Sequence, residues 1–63
     1  MTDTQRLLLW VGTTDDGLLA DDISPMLAEM EAAGLLIRCD PIEYIQVFRT
    51  SAAGLEAMGV RLQ

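Results

Sequence analysis

A chain of 63 residues with a single cysteine, Cys39, and no histidine has no staple to rely on. No internal disulfide can form, and no Cys/His metal site can be assembled. A domain this small buries only about 60% of its unfolded surface, so staples or partner subunits are common at this scale. What remains is a tightly packed core, or a second subunit that completes one. Hydrophobic residues make up 51% of the chain, which is enough for a core and argues against disorder. The length accommodates one domain, residues 1–63.

The longest uninterrupted apolar run is Leu7-Leu8-Leu9-Trp10-Val11. It is too short to cross a bilayer or to form the core of a signal peptide. No membrane association is expected, and a lone thiol fits a reducing compartment such as the cytoplasm.

Local signals divide the chain. Thr2-Asp3-Thr4-Gln5 fits a capping box and predicts a helix through Val11, stopped by Gly12. Because "LLLWV" is apolar on all sides, a buried strand is an open alternative there. Thr13 to Gly17 are turn formers. Leu18-Leu19-Ala20 reads as the opening of a short second helix. Ser24 is a good N-cap and Pro25 suits the first helical position, so a longer helix should run to about Ala33. Gly34 would supply the left-handed residue after it. Leu27, Met30 and Ala33 or Gly34 recur at helical spacing and should face the core, with Glu29, Glu31 and Ala32 off that stripe.

The following "LLIRCDPIEYIQVFRT" is rich in strand formers. It predicts strands over Leu35–Cys39 and Ile42–Arg49, with the turn at Asp40-Pro41. Leu35 and Ile37 are expected in the core. The second strand could be anchored by Tyr44 and Phe48 or by Ile45 and Val47. The two sets have opposite parity, and burial of both would mark one face as an interface. Thr50 should cap a last helix from Ser51 to about Met58, with Ala52, Leu55 and Met58 on one side and Gly59 at its end.

These residues resemble the winged helix-turn-helix family of small bacterial and phage regulators. In that family a third helix ends in a phrase matched here by Leu27, Met30-Glu31 and Gly34-Leu35-Leu36. The second wing strand runs into a helix through a phrase matched by Thr50 and Gly54. The resemblance covers residues 18 to 58. It implies an α+β, winged-helix-like fold: short helices, then a two-stranded wing hairpin, then a C-terminal helix. It also implies a dimeric transcriptional regulator that binds DNA.

The charges argue against that activity. The net charge is −6 and the sequence pI about 4.1. Residues 15–43 hold Asp15, Asp16, Asp21, Asp22, Glu29, Glu31, Asp40 and Glu43 against one base, Arg38, and lysine is absent. Phosphate neutralisation by Lys and Arg supplies most DNA affinity, and Arg, Asn and Gln make most base-edge contacts. The helix at 24–34 has none of these, and the wing tip offers Asp40 and Glu43. Direct nucleic-acid binding therefore fails the basic-footprint test.

Solvation alone can account for such charge: loop acids suit turns, and Asp21 and Asp22 near a helix start favour its dipole. The functional reading is an acidic surface built from Asp15, Asp16, Asp21, Asp22, Glu29 and Glu31 that engages a basic protein partner, such as a nucleic-acid-binding complex. Carboxylates would stand in for phosphates, and complementary charge would speed encounter. In size, acidity and expected fold the chain is similar to small phage-encoded inhibitors of bacterial defence complexes (anti-CRISPR-like) and of transcription. Such proteins act in the host cytoplasm.

No enzyme is expected. Cys39 has no histidine to activate it. Thr13, Thr14, Ser24 and Ser51 read as loop and cap residues. The acids lack the spacing of a calcium loop, Gly12 and Gly17 sit in a stretch that would repel phosphate, and no cofactor or metal is implied. Trp10 reads as core. A helix apolar all round, however, needs cover on more than one side. Leu8, Leu9 or Trp10 is therefore expected at a self-association surface or partner contact, with "LEAMGVRLQ" as its neighbour in a homodimer.

Overall fold

The computed structural model describes residues 1–59. The order is α1 (Asp3–Val11), β1 (Leu18–Ala20), α2 (Pro25–Ala32), β2 (Leu36–Ile42), β3 (Ile45–Thr50) and α3 (Ala52–Ala57). The fold is α+β, with a three-stranded antiparallel sheet of order β1-β3-β2.

The helix ends follow from local chemistry. Thr2 Oγ1 accepts from the Gln5 amide at 3.1 Å and the Gln5 side chain accepts from the Thr2 amide at 2.9 Å, completing the capping box. Residues 7–11 are thus helix, and the strand alternative falls away. The last carbonyls of α1 are satisfied by threonines. Thr13 and Thr14 donate their hydroxyls to the carbonyls of Trp10 and Val11 at 2.6 and 2.7 Å, and Thr50 donates to Leu9. Ser24 accepts from the Leu27 amide and Pro25 occupies the first turn of α2. At the far end Gly34 adopts φ +79°. Leu35 N–H then reaches the Met30 carbonyl and Gly34 N–H the Glu31 carbonyl, the paired bonds of a Schellman ending.

Four local expectations are corrected. Leu18–Ala20 is a strand, where a short helix was expected. Leu and Ala favour helix, but three residues gain more from pairing with Gln46–Phe48 than from a single isolated turn. The hairpin turns at Glu43-Tyr44, three residues on from Asp40-Pro41. Pro41 is tolerated because β2 is an edge strand and the register shifts between Cys39 and Ile42, a bulge in which the missing N–H is not needed. Leu36 is the buried residue at the start of β2, while Leu35 is half-buried and Ile37 is 55% exposed. A strand that begins one residue later turns every side chain to the other face. Ser51, rather than Thr50, is the N-cap of α3.

All three helices lie on one face of the sheet. Leu9, Leu18, Leu27, Met30, Leu36 and Phe48 form the core, with Leu8, Val11, Ile23, Met26 and Met58 packed against it. Leu18 and Arg38 both pair with Phe48, and Leu36 pairs with Thr50, so the core strand residues share one parity. Val47, of the other parity, is also buried yet lies outside that cluster. Both candidate anchor sets therefore contribute a closed residue, Phe48 to the core face and Val47 to the opposite one. Tyr44 is exposed in the turn.

Thr50 and Ser51 join the layers. The Thr50 amide donates to the Gly12 carbonyl, the Ser51 amide to Leu35, and the Ser51 hydroxyl to Gly34. The ends of α1 and α2 are thereby fixed to the start of α3. Gly12 and Gly54 permit this approach: a Cβ on Gly12 would collide with Thr50 Oγ1, and one on Gly54 with the Leu35 carbonyl oxygen.

Candidate functional site

The anticipated acidic surface separates into parts. Asp15 and Asp16 are exposed in the loop between α1 and β1. That loop is strapped by Arg49 of β3, whose guanidinium donates to the carbonyl oxygens of Thr14 at 3.0 Å and Asp15 at 2.6 Å. These acceptors are backbone, so the two carboxylates stay in solvent beside a cation. Asp21 and Asp22 are also exposed, but they leave β1 at its other end. A three-residue strand, at about 3.3 Å per residue, holds the two acid pairs apart.

Register decides what Asp21 and Asp22 do have as neighbours. Ala20 pairs with Gln46, and Ile45 pairs with Ile42, next to the Glu43-Tyr44 turn. Asp21 and Asp22 therefore emerge at the hairpin-tip end of the sheet, the end that also carries Asp40 and Glu43, all of them exposed. Glu43 adopts φ 56°, a left-handed conformation that favours glycine or asparagine. Of the bases in the sheet, Arg38 is in mid-strand and Arg49 at the opposite end of β3.

Glu29 and Glu31 part company on α2. Glu29 is exposed, whereas Glu31 is half-buried and grips Arg38 through two bonds, Nε to Oε2 at 2.9 Å and Nη2 to Oε1 at 2.6 Å. The same guanidinium lies 5.6 Å from the centre of the Phe48 ring. Arg38 thus closes the core between α2 and β2, and Glu31 is spent on holding it there. Its charge is compensated within the chain, so it is a poor member of a free acidic surface.

The apolar candidates also sort by exposure. Leu9 has no accessible surface and belongs to the core, so it offers nothing to a partner. Leu8 is half-buried against that core. Trp10, expected in the core, is 51% exposed, next to Leu7 at 63% on the same side of α1. The proposed C-terminal neighbour reaches past Gly59, so residues 60–63 of it lie outside the described residues.

The sequence raised a second surface only conditionally, on burial of both hairpin anchor sets; the structure locates it as the sheet face away from the helices. Leu19, Ile37, Cys39, Ile42, Ile45 and Val47 all point to it by register. Its signal was the matched alternation of Ile37 and Cys39 with Ile45 and Val47. Its extent was hidden because its third strand, β1, was read as helix.

The exposed side of α2 carries Ser24, Pro25, Ala28, Glu29 and Ala32. None of these side chains has the paired donors that Arg, Asn or Gln present to base edges. Among the described residues no group of three or more His, Cys, Asp or Glu side chains is placed to hold a metal ion. No helix among them is long and apolar enough to cross a membrane. Comparison with known protein families, with curated proteins and with solved structures yields no match for this chain.

Proposed function

We propose that the chain is a non-catalytic, winged-helix-like protein-binding domain. Its hairpin-tip carboxylates engage a basic surface of a partner protein. The observation that carries this reading is the convergence of Asp21, Asp22, Asp40 and Glu43 on one end of the sheet, opposite the end of β3 that holds Arg49. Carboxylates are acceptors only. Spaced along an exposed end, they suit Lys and Arg side chains that otherwise hold phosphates. A strained Glu43 supports the same reading, since backbone strain of this kind tends to persist where function keeps it.

The protein would act as an inhibitor or regulator that occupies a nucleic-acid groove in the manner of a DNA mimic, in the cytoplasm of the cell whose machinery it binds. A phage-type, anti-defence role is the form this takes by analogy of size and charge. The winged-helix assignment draws support from the strand order, the hairpin after α2 and the Schellman ending at Gly34.

The test has two arms. Immobilised chain is used to capture proteins from a bacterial lysate, beside a variant with Asp21→Asn, Asp22→Asn, Asp40→Asn and Glu43→Gln. Proteins held by the wild type, lost with the variant and displaced by duplex DNA support the proposal. In parallel, a gel shift with short duplexes at low salt reports direct DNA binding. A shift by the wild-type chain would reinstate the dimeric DNA-binding regulator and remove the mimic.

A further inference from the structure

Asp16 is the one aspartate of the chain that precedes a glycine. An aspartyl carboxyl is a single ring closure away from the next amide nitrogen, and glycine there puts no side chain in the way. The other aspartates are followed by Thr4, Asp16, Asp22, Ile23 and Pro41, whose side chains hinder that approach or, in proline, replace the N–H. Gly17 cannot be exchanged for a safer residue. It is buried at φ +77°, and a Cβ there would lie 2.8 Å from the Phe48 carbonyl oxygen. The fold therefore keeps a labile step and has to restrain it.

The restraint is a short chain of bonds. The Gly17 amide donates to the Thr14 carbonyl at 3.1 Å. The same carbonyl accepts from Arg49 Nη1 at 3.0 Å, while Arg49 Nη2 holds the Asp15 carbonyl at 2.6 Å. The nitrogen that would attack is thus tied through its proton to a carbonyl that Arg49 fixes in place. Thr13, Thr14, Asp15, Asp16 and Arg49 are all exposed, and none belongs to the core cluster under the helices. A segment of this kind opens at a lower free energy than the whole domain.

We infer that Asp16–Gly17 is a site of spontaneous isoaspartate formation, and that the Arg49 strap sets its rate. In the opened loop the Gly17 nitrogen bonds to Asp16 Cγ. Its proton and the carboxyl hydroxyl leave as water, and a succinimide forms. Water then adds to either imide carbonyl. Addition at the Asp16 α-carbonyl breaks the bond from that carbon to nitrogen, which recovers a proton. Gly17 is left attached to Cγ, and the α-carboxylate is free. The charge is unchanged, but the backbone is one atom longer just before β1. Gly17 then no longer fits against Phe48, and Leu18–Ala20 loses its register on β3. The inference stands apart from the basic partner proposed above, because Asp16 lies outside the hairpin tip and the chemistry is read on the purified chain alone.

The full chain is held for weeks at neutral pH, folded or in urea, and mapped by mass spectrometry that distinguishes isoaspartate from aspartate. The expected product is isoaspartate at Asp16, with a transient peptide lighter by one water, formed more slowly in the folded chain than in urea. Arg49→Met, checked for fold by circular dichroism, should raise the folded rate by about tenfold, since it removes bonds from a charged donor, and leave the urea rate unchanged. Thr50→Val weakens the domain but leaves the strap, so it should raise the folded rate far less. Hydrogen exchange on the wild type supplies a reading that needs no variant: the Gly17 amide should exchange faster than the amide of Phe48. Absence of isoaspartate at Asp16 from the folded chain overturns the inference. So does a folded rate indifferent to Arg49→Met, or one raised as much by Thr50→Val. A Gly17 amide as slow as that of Phe48 overturns it too, because the loop would then open only with the whole domain.

Discussion

Thr50 donates its hydroxyl to the carbonyl oxygen of Leu9 at 2.6 Å, across 41 residues of chain. Leu9 is wholly buried in the last turns of α1, and its carbonyl lies where a helix has run out of its own donors. The bond ties the first helix to the last strand. Thr50→Val keeps the shape and removes the donor, leaving a shielded carbonyl unsatisfied. Stability should fall by about 1–2 kcal/mol, read as a lower urea midpoint with an unchanged slope. An unaltered midpoint would mean that water or a shifted backbone satisfies Leu9.

Gly54 gives a prediction whose sign opposes helix propensity. In an exposed helix interior, replacing glycine by alanine stabilises by about 1 kcal/mol. Here a Cβ would strike the Leu35 carbonyl oxygen and lie 2.7 Å from Thr50 Cγ2. The first obstacle is backbone and cannot rotate away. Gly54→Ala should therefore destabilise, by about 1–3 kcal/mol. A thermal melt separates the two expectations, since one raises the midpoint and the other lowers it.

The ends of α1 and α2 were legible in the sequence because their chemistry is local, whereas the start of α3 was placed one residue early, at Thr50. Thr2 with Gln5, Ser24 with Pro25, and Gly34 each make their case within a few residues, and the structure agrees at all of them. Elements that depend on distant pairing were not. Leu18–Ala20 becomes a strand only because β3 is there to receive it. Pro41 reads as a turn unless the strand is known to be an edge with a bulge. The candidate site inherited both gaps. With β1 taken for a helix, Asp15, Asp16, Asp21 and Asp22 looked like one patch. Once β1 is a strand, Asp21 and Asp22 go with Asp40 and Glu43, and the apolar face carrying Leu19 comes into view.

Glu31 and the tip acids should behave differently on neutralisation. Glu31→Gln breaks the bonds to Arg38, but the two side chains are 31 and 42% exposed. Solvent screening keeps the cost below about 1 kcal/mol. Capture of a basic partner should be nearly untouched, because that charge is already compensated. Asp21→Asn with Asp22→Asn should leave stability within about 0.5 kcal/mol, as surface changes usually do, yet weaken capture and its salt dependence. The reverse pattern would place the binding surface on α2 instead of the tip.

Glu43 sets stability against binding at a single residue. Its φ of 56° places a side chain where a Cβ crowds the backbone. Only this first residue of the two-residue turn has positive φ, the pattern of a II′ turn, in which glycine is preferred at that position. Glu43→Gly relieves the crowding and should stabilise by about 1 kcal/mol, the left-handed penalty of a non-glycine residue. That gain raises the melting midpoint by several degrees in a domain this small. The same change removes a tip carboxylate and should weaken capture of the basic partner. Glu43→Asn keeps much of the relief without the charge, so it should track glycine in both respects. A variant that is more stable and binds as well as the wild type would show that Glu43 is not part of the contact. One that is no more stable would show that the turn carries no strain.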